Sequence, residues 1–135
     1  MSKRMTKGDL DEMRTLGALN PVGHAILAFA SDGVAADAKT ALLGAGFAEA
    51  DILTYTSGEL FPDLDQMMRN ASGAAGFGYE STLMRRYLAL AQEDVGWLVV
   101  HAPEDARAEQ VAEVARRFKA RSAVRYRRLV SEELI

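Results

Sequence analysis

Two histidines, His24 and His101, are the only side chains in this 135-residue chain whose ordinary pKa lies near neutrality. Each falls in a short apolar run, His24 to Ala30 and Gly96 to Ala102. Both runs read as central, parallel strands of one sheet. If His24 pairs near Trp97, His101 lies several residues further along, and the two rings need not meet. No cysteine occurs, and neither histidine has a carboxylate at ligand spacing, so no metal site is expected. The motif Gly73-x-x-Gly76-x-Gly78 precedes a helix carrying Arg85 and Arg86. Backbone amides at a helix N-terminus can hold an anion, which makes these residues anion-binding candidates. The spacing matches neither the P-loop nor the dinucleotide fingerprint, and a flexible linker between helices is the favoured explanation. The acid pairs Asp63 with Asp65 and Glu93 with Asp94 read as solvated, and no Gly-x-Ser-x-Gly elbow is present. No catalytic residue and no cofactor are assigned.

Charge is unevenly spread. Arg116, Arg117, Lys119, Arg121, Arg125, Arg127 and Arg128 put seven basic residues into a thirteen-residue window without an acid, in a chain of net charge −3. Glu104 and Asp105 at the start of a helix, with Arg116, Arg117 and Lys119 at its end, complement the helix dipole and need no partner. Arg125, Arg127 and Arg128 are dense on a strand. They mark either a charged edge or an anionic partner, and they join the anion-binding candidates. RNA or other nucleic acid is the alternative partner on that reading, and would bind with steep salt dependence.

These side chains need a scaffold, and the chain supplies one twice. Val22-Gly23 and Val95-Gly96 each lead into an apolar strand and then a helix. His24 aligns with Trp97 and Asp32 with Asp105, a constant offset of 73 residues. Ser31 or Asp32 caps the first helix, whose stripe is Val34, Ala38, Ala41, Leu42 and Ala45. Gly46 suits its left-handed C-terminal cap, with Phe47 folding back. Asp51 to Thr56 reads as the second strand. The second helix follows Pro103, with Ala108, Val111, Ala115 and Phe118 inward, and Ala123 to Leu129 is the last strand. Between the halves, Pro62 starts a short helix with Leu64, Met67 and Met68 inward, and Ser81 or Glu80 begins a longer one bearing Leu83, Tyr87, Leu90 and Ala91. Residues 1–21 form an N-terminal arm, with Leu10, Met13 and Leu16 on one helical side, and residues 22–135 a single α+β domain. Two strand-helix-strand halves predict a ferredoxin-like (βαβ)2 sandwich: a four-stranded sheet, helices on one face, and a helical insert between the halves. A doubly wound sheet, with helices on both faces, is the competing architecture.

The stretch Val99-Val100-His101-Ala102-Pro103-Glu104-Asp105-Ala106-Arg107-Ala108-Glu109-Gln110-Val111-Ala112-Glu113-Val114-Ala115 resembles the second half of bacterial general-stress proteins of the small two-βαβ type. Ala28-Phe29-Ala30-Ser31-Asp32 through Ala45-Gly46-Phe47 is similar to their first half. The resemblance implies the ferredoxin-like fold and carries over no catalytic residue. Many such proteins have a long apolar glycine-rich segment between the halves, where this chain has only Gly73 to Gly78.

Strand alternation assigns the faces. Ala25, Leu27 and Phe29, with Leu98 and Val100, belong under the helices. His24, Ile26 and Ala28 share the other face with Trp97, Val99 and His101, joined by Tyr55 and Tyr126 from the outer strands. That half-aromatic face is expected to be open. RNA-recognition modules use such a face to stack bases, but their basic-aromatic run is missing from Trp97 to His101. The expectation is therefore a homo-oligomer formed through the open face, with His24, Tyr55, Trp97, His101 and Tyr126 as interface or small-ligand residues. Trp97 packed beneath a helix would count against it. An enzyme using a strand histidine is a further alternative. With 49% hydrophobic residues, no apolar run long enough to span a bilayer and no leader-like segment, a cytoplasmic protein without a membrane role is expected.

Overall fold

The computed structural model describes residues 4–15, 21–61, 78–127 and 131–135. In chain order they form α1 (Lys7–Thr15), β1 (His24–Phe29), α2 (Asp32–Gly44), a 3-10 turn (Glu49–Asp51), β2 (Ile52–Thr56) and a single helical turn, α3 (Ser57–Leu60). Then come α4 (Gly78–Ala91), β3 (Gly96–His101), α5 (Asp105–Arg117), β4 (Ser122–Tyr126) and β5 (Ser131–Glu133). The class is α+β, with a sheet ordered β2-β3-β1-β4-β5 in which every neighbouring pair is antiparallel.

Local chemistry explains the ends of these elements. Ser31 accepts a hydrogen bond from the Val34 amide and caps α2. Gly46 takes φ +104°, the left-handed conformation that glycine adopts without a Cβ penalty. Phe47 then donates its amide to Leu42 and turns its ring into the core. Thr6 and Asp9 cap α1 reciprocally: the Asp9 amide donates to the Thr6 hydroxyl at 3.2 Å, and the Thr6 amide to the Asp9 carboxylate at 2.9 Å. The paired glycines of the Val-Gly repeat are glycine for different reasons. Gly23 needs φ +83°. Gly96 needs room, since a Cβ there would lie 2.6 Å from the Ser31 carbonyl oxygen.

The core has two halves, one on each side of the sheet. Beneath α2 and α5 lie Leu27, Phe29, Leu42, Leu98, Val100 and Val111. On the other side, Ile26, Trp97, Val99 and Tyr126 pack with Leu10 of α1 and Tyr87 of α4. The alternation placed each of these strand residues on its correct face.

Several expectations are corrected. The central strands β1 and β3 run antiparallel, so the parallel reading fails. Among the described residues the sheet has five strands, because Ser131–Glu133 adds β5 antiparallel beside β4. Helices lie on both faces, so neither the one-faced sandwich nor a doubly wound parallel sheet describes it. Most important for function, the aromatic sheet face is closed. Trp97 is fully buried, Tyr55 and Tyr126 nearly so, because the chain's own α1 and α4 occupy the surface reserved for a partner. The helix beginning at Ser81 or Glu80 in the sequence reading starts earlier, at Gly78. The short helix after Pro62 with Leu64, Met67 and Met68, the acids Asp63 and Asp65, Gly73, Gly76 and Arg128 lie outside the described residues.

Candidate functional site

Antiparallel pairing brings the two histidines together. His24 opens β1 and His101 closes β3, so they are register partners across the two central strands. Their ring centroids are 4.7 Å apart and tilted by 47°. The sequence reading held them apart because parallel strands would stagger them. His24 is 1% exposed, while His101 is partly open.

Both ring nitrogens of His24 are engaged. Nδ1 lies 3.1 Å from the Val22 carbonyl oxygen. A carbonyl only accepts, so Nδ1 carries the proton and donates. Nε2 is then a lone pair, and it accepts the Met5 backbone N–H at 3.1 Å. The hydrogen-bond pattern thus assigns a neutral ring of one tautomer. Burial pushes the His24 pKa below the ordinary histidine value, and neighbouring His101 pushes the same way; the Val22 carbonyl and Asp51 oppose both.

Asp51, at the end of the 3-10 turn, completes the cluster. One carboxylate oxygen lies 3.7 Å from His101 Nδ1 and accepts a hydrogen bond from Arg4 Nε at 2.8 Å. The other accepts the Ala48 amide at 2.9 Å. Arg4 and Met5 come from the N-terminal arm, so the arm holds both His24 and Asp51. Further along, Lys7 sits 4.5 Å above the centre of the Tyr55 ring and pairs with Glu59 at 3.4 Å. Leu10 is fully buried in the sheet-face core. Sequence reasoning missed Arg4, Met5 and Asp51. They are far from either histidine along the chain, and no motif links them.

The remaining predicted site residues scatter. Trp97 packs edge-on against Phe61 and Tyr87, each with centroids 5.5 Å away. Its indole N–H donates to Ser57 Oγ at 3.3 Å, and Ser57 donates to the Val95 carbonyl at 2.9 Å. The Tyr126 and Tyr87 hydroxyls are 2.7 Å apart. Trp97, Tyr126 and Tyr55 are therefore core residues rather than an exposed ligand platform. Gly78 begins a helix instead of belonging to a loop, and Arg85 is exposed on that helix while Arg86 pairs with Glu133 of β5.

The basic strand is not a free cationic surface. β4 lies between β1 and β5, so the charged-edge reading of Arg125 is corrected. Arg125 is 5% exposed and donates to Asp105 and to the Pro103 carbonyl, both at 2.9 Å. Its guanidinium holds the Asp105 carboxyl below the usual carboxylate range through the hydrogen bond and its charge, with Arg127 adding to this. Arg127 pairs with Glu132. A groove of about 350 Å³ runs between α5 and the β4–β5 hairpin, where Arg116, Arg125 and Arg127 meet Asp105, Glu109 and Glu132. Glu133 also lines it, so the groove has no excess of positive charge.

Among the described residues, no group of three or more histidine, aspartate or glutamate side chains is placed to hold a metal ion. None of their helices is long and apolar enough to cross a membrane. No family model, curated protein or solved structure matches this chain.

Proposed function

We propose that this protein is a non-enzymatic association domain, and that it pairs with a second copy of itself along β2. The observation that carries the reading is the contrast between the two sheet edges. β5 is guarded by Glu132 and Glu133, which pair with Arg127 and Arg86. β2, Ile52-Leu53-Thr54-Tyr55-Thr56, has five residues with neither a charge nor a proline, and lies at the other edge among the described residues. An uncharged, proline-free strand at a sheet edge is a template for another strand.

A two-fold axis at Thr54 would set Ile52 opposite the partner's Thr56. The flanking charges suit that register. Arg4 with Asp51 marks one end of β2, and Lys7 with Glu59 the other. Antiparallel pairing brings one kind of end against the other, so each acid has a cation within reach across the axis. This replaces the open sheet face as the route to a homo-oligomer. Catalysis by His24 finds no support, since both of its nitrogens are committed to the backbone.

The order β2-β3-β1-β4 is also what supports reading the sheet as ferredoxin-like, enlarged by β5, α1 and α4, and with it the kinship to two-βαβ stress proteins.

Light scattering and sedimentation at rising concentration test the pairing. Wild-type protein is expected to approach twice its 14.7 kDa chain mass. Thr54→Lys sets two ammonium groups across the axis, and should leave a folded monomer by circular dichroism. A wild-type monomer at millimolar concentration, or a dimer indifferent to Thr54→Lys, would refute the proposal.

A further inference from the structure

We propose that His24 is an acid-releasable latch for the N-terminal arm: protonation at Nε2 expels the Met5 amide and frees the arm from the sheet face, uncovering Tyr55. The inference stands apart from edge pairing along β2. It rests on a donor–acceptor count. His24 Nδ1–H is committed to the Val22 carbonyl, so Nε2 is the only place for a second proton. That lone pair already accepts the Met5 N–H. Once protonated, Nε2 becomes a donor facing a donor at hydrogen-bond distance, and one of them has to leave. The Met5 end is the one that leaves, because His24 is fixed within β1, which is paired on both sides by β3 and β4.

Arg4 pairs with Asp51, and with 49% of its side chain exposed it is tied only weakly. Lys7 pairs with Glu59 and covers the Tyr55 ring. Leu10, fully buried, is the arm's main apolar anchor, with Met5 packed partly against the same cluster.

The charged groups facing His24 act in opposite senses, His101 disfavouring the protonated ring and Asp51 favouring it. From β3 comes His101 and from the 3-10 turn Asp51, with Arg4 of the arm drawn onto that same carboxylate. From β4, Arg125 lies opposite the neighbouring Ala25, but its guanidinium is turned to Asp105 and Pro103 on the other side of the sheet; Tyr126 has its hydroxyl at Tyr87. When Arg4 departs with the arm, Asp51 is left beside the imidazoles, where its charge stabilises the protonated ring. Opening and protonation therefore favour each other.

The sign follows from linkage. In the latched state the pKa of His24 lies below its ordinary value; with the arm released the ring is hydrated and returns toward it. The latch's contribution is fully present above about pH 6.5, the ordinary histidine value, and is lost as pH falls below it. The arm-opening constant therefore rises as pH falls from 7.5 to 5.5, with a ceiling of about tenfold set by a released ring at the ordinary histidine value.

Amide hydrogen exchange on the full chain, corrected for the intrinsic pH dependence of exchange, reads this constant at Met5 and at Leu10, whose N–H donates to the Thr6 carbonyl. Wild type should show a rise of up to about tenfold at these amides while the β1–β3 ladder changes much less. His24→Gln offers an uncharged amide oxygen near the Nε2 position, so it should hold the arm with no response to acid. His101→Gln should keep the response. Met5→Pro removes the donor and should give an arm open at both pH values, with no further rise. Arm protection that is flat with pH in wild type, or a response in His24→Gln or Met5→Pro equal to that of wild type, would overturn the latch.

Discussion

Gly96→Ala probes a close backbone approach, where β3 passes the first turn of α2. An added Cβ would lie 2.6 Å from the Ser31 carbonyl oxygen, 2.8 Å from Asp32 Cα and 2.9 Å from Ala35 Cβ. Two of these are backbone atoms and the third is a methyl fixed to a helix, so no side-chain rotation relieves the clash. Either β3 or the start of α2 must shift. Ser31 is the N-cap, and its carbonyl accepts the Ala35 amide at 3.0 Å, so moving it also strains the first helical hydrogen bond. Overpacking costs about 1–3 kcal/mol. A weakened cap adds about 1 kcal/mol. The expected loss is therefore about 2–4 kcal/mol.

Gly23→Ala is the matched comparison, because Gly23 holds the same place in the other repeat. Its φ of +83° makes alanine strained by about 1–2 kcal/mol. Urea unfolding followed by circular dichroism, with the fluorescence of the single buried Trp97 as a second probe, measures both. Gly96→Ala should lose more than Gly23→Ala. A Gly96→Ala protein within roughly 0.5 kcal/mol of wild type, the range of ordinary surface changes, would refute the β3–α2 contact.

Two further outcomes are expected. Leu10→Ala removes the arm's buried anchor, and a core leucine truncation ordinarily costs about 2–5 kcal/mol. Because the arm can undock instead of leaving a cavity, global stability should fall by less than about 2 kcal/mol while protection of the α1 amides in hydrogen exchange collapses. Arg125→Met keeps most of the apolar stem but strands the Pro103 carbonyl, and should cost about 1–3 kcal/mol in urea unfolding. In the same variant the Asp105 pKa should rise toward the ordinary carboxylate value, as followed by carboxyl carbon shifts in NMR.

How much of this was legible depends on the range of the interaction involved. Ser31, Gly46 and Phe47 behave as their types predict, because a helix cap is settled within a few residues. Tyr55, Trp97 and Tyr126 share the face that alternation assigns them. The use of that face was not legible. A strand side chain covered by the chain's own helix and one covered by a partner leave the same pattern of apolar residues. Arg125 illustrates the reverse error: in a run of basic residues it looks solvated, yet β5 and the start of α5 enclose it. Asp51 and Met5 reach the histidines only through folding, and nothing in their local sequence marks them.

The sequence by itself determined β1 to β4, the helices α2 and α5, the Ser31 cap, the two faces of each central strand and the duplicated Val-Gly entry. These follow from backbone periods and short-range sterics. Tertiary structure alone decided the direction of β3 against β1. That direction sets His24 beside His101 instead of staggering them. It alone decided that α1 and α4 close the aromatic face, and that the neutral His24 ring accepts the Met5 amide of the arm. Strand direction and helix coverage depend on contacts between residues far apart in the chain, and a local pattern has no means of recording them.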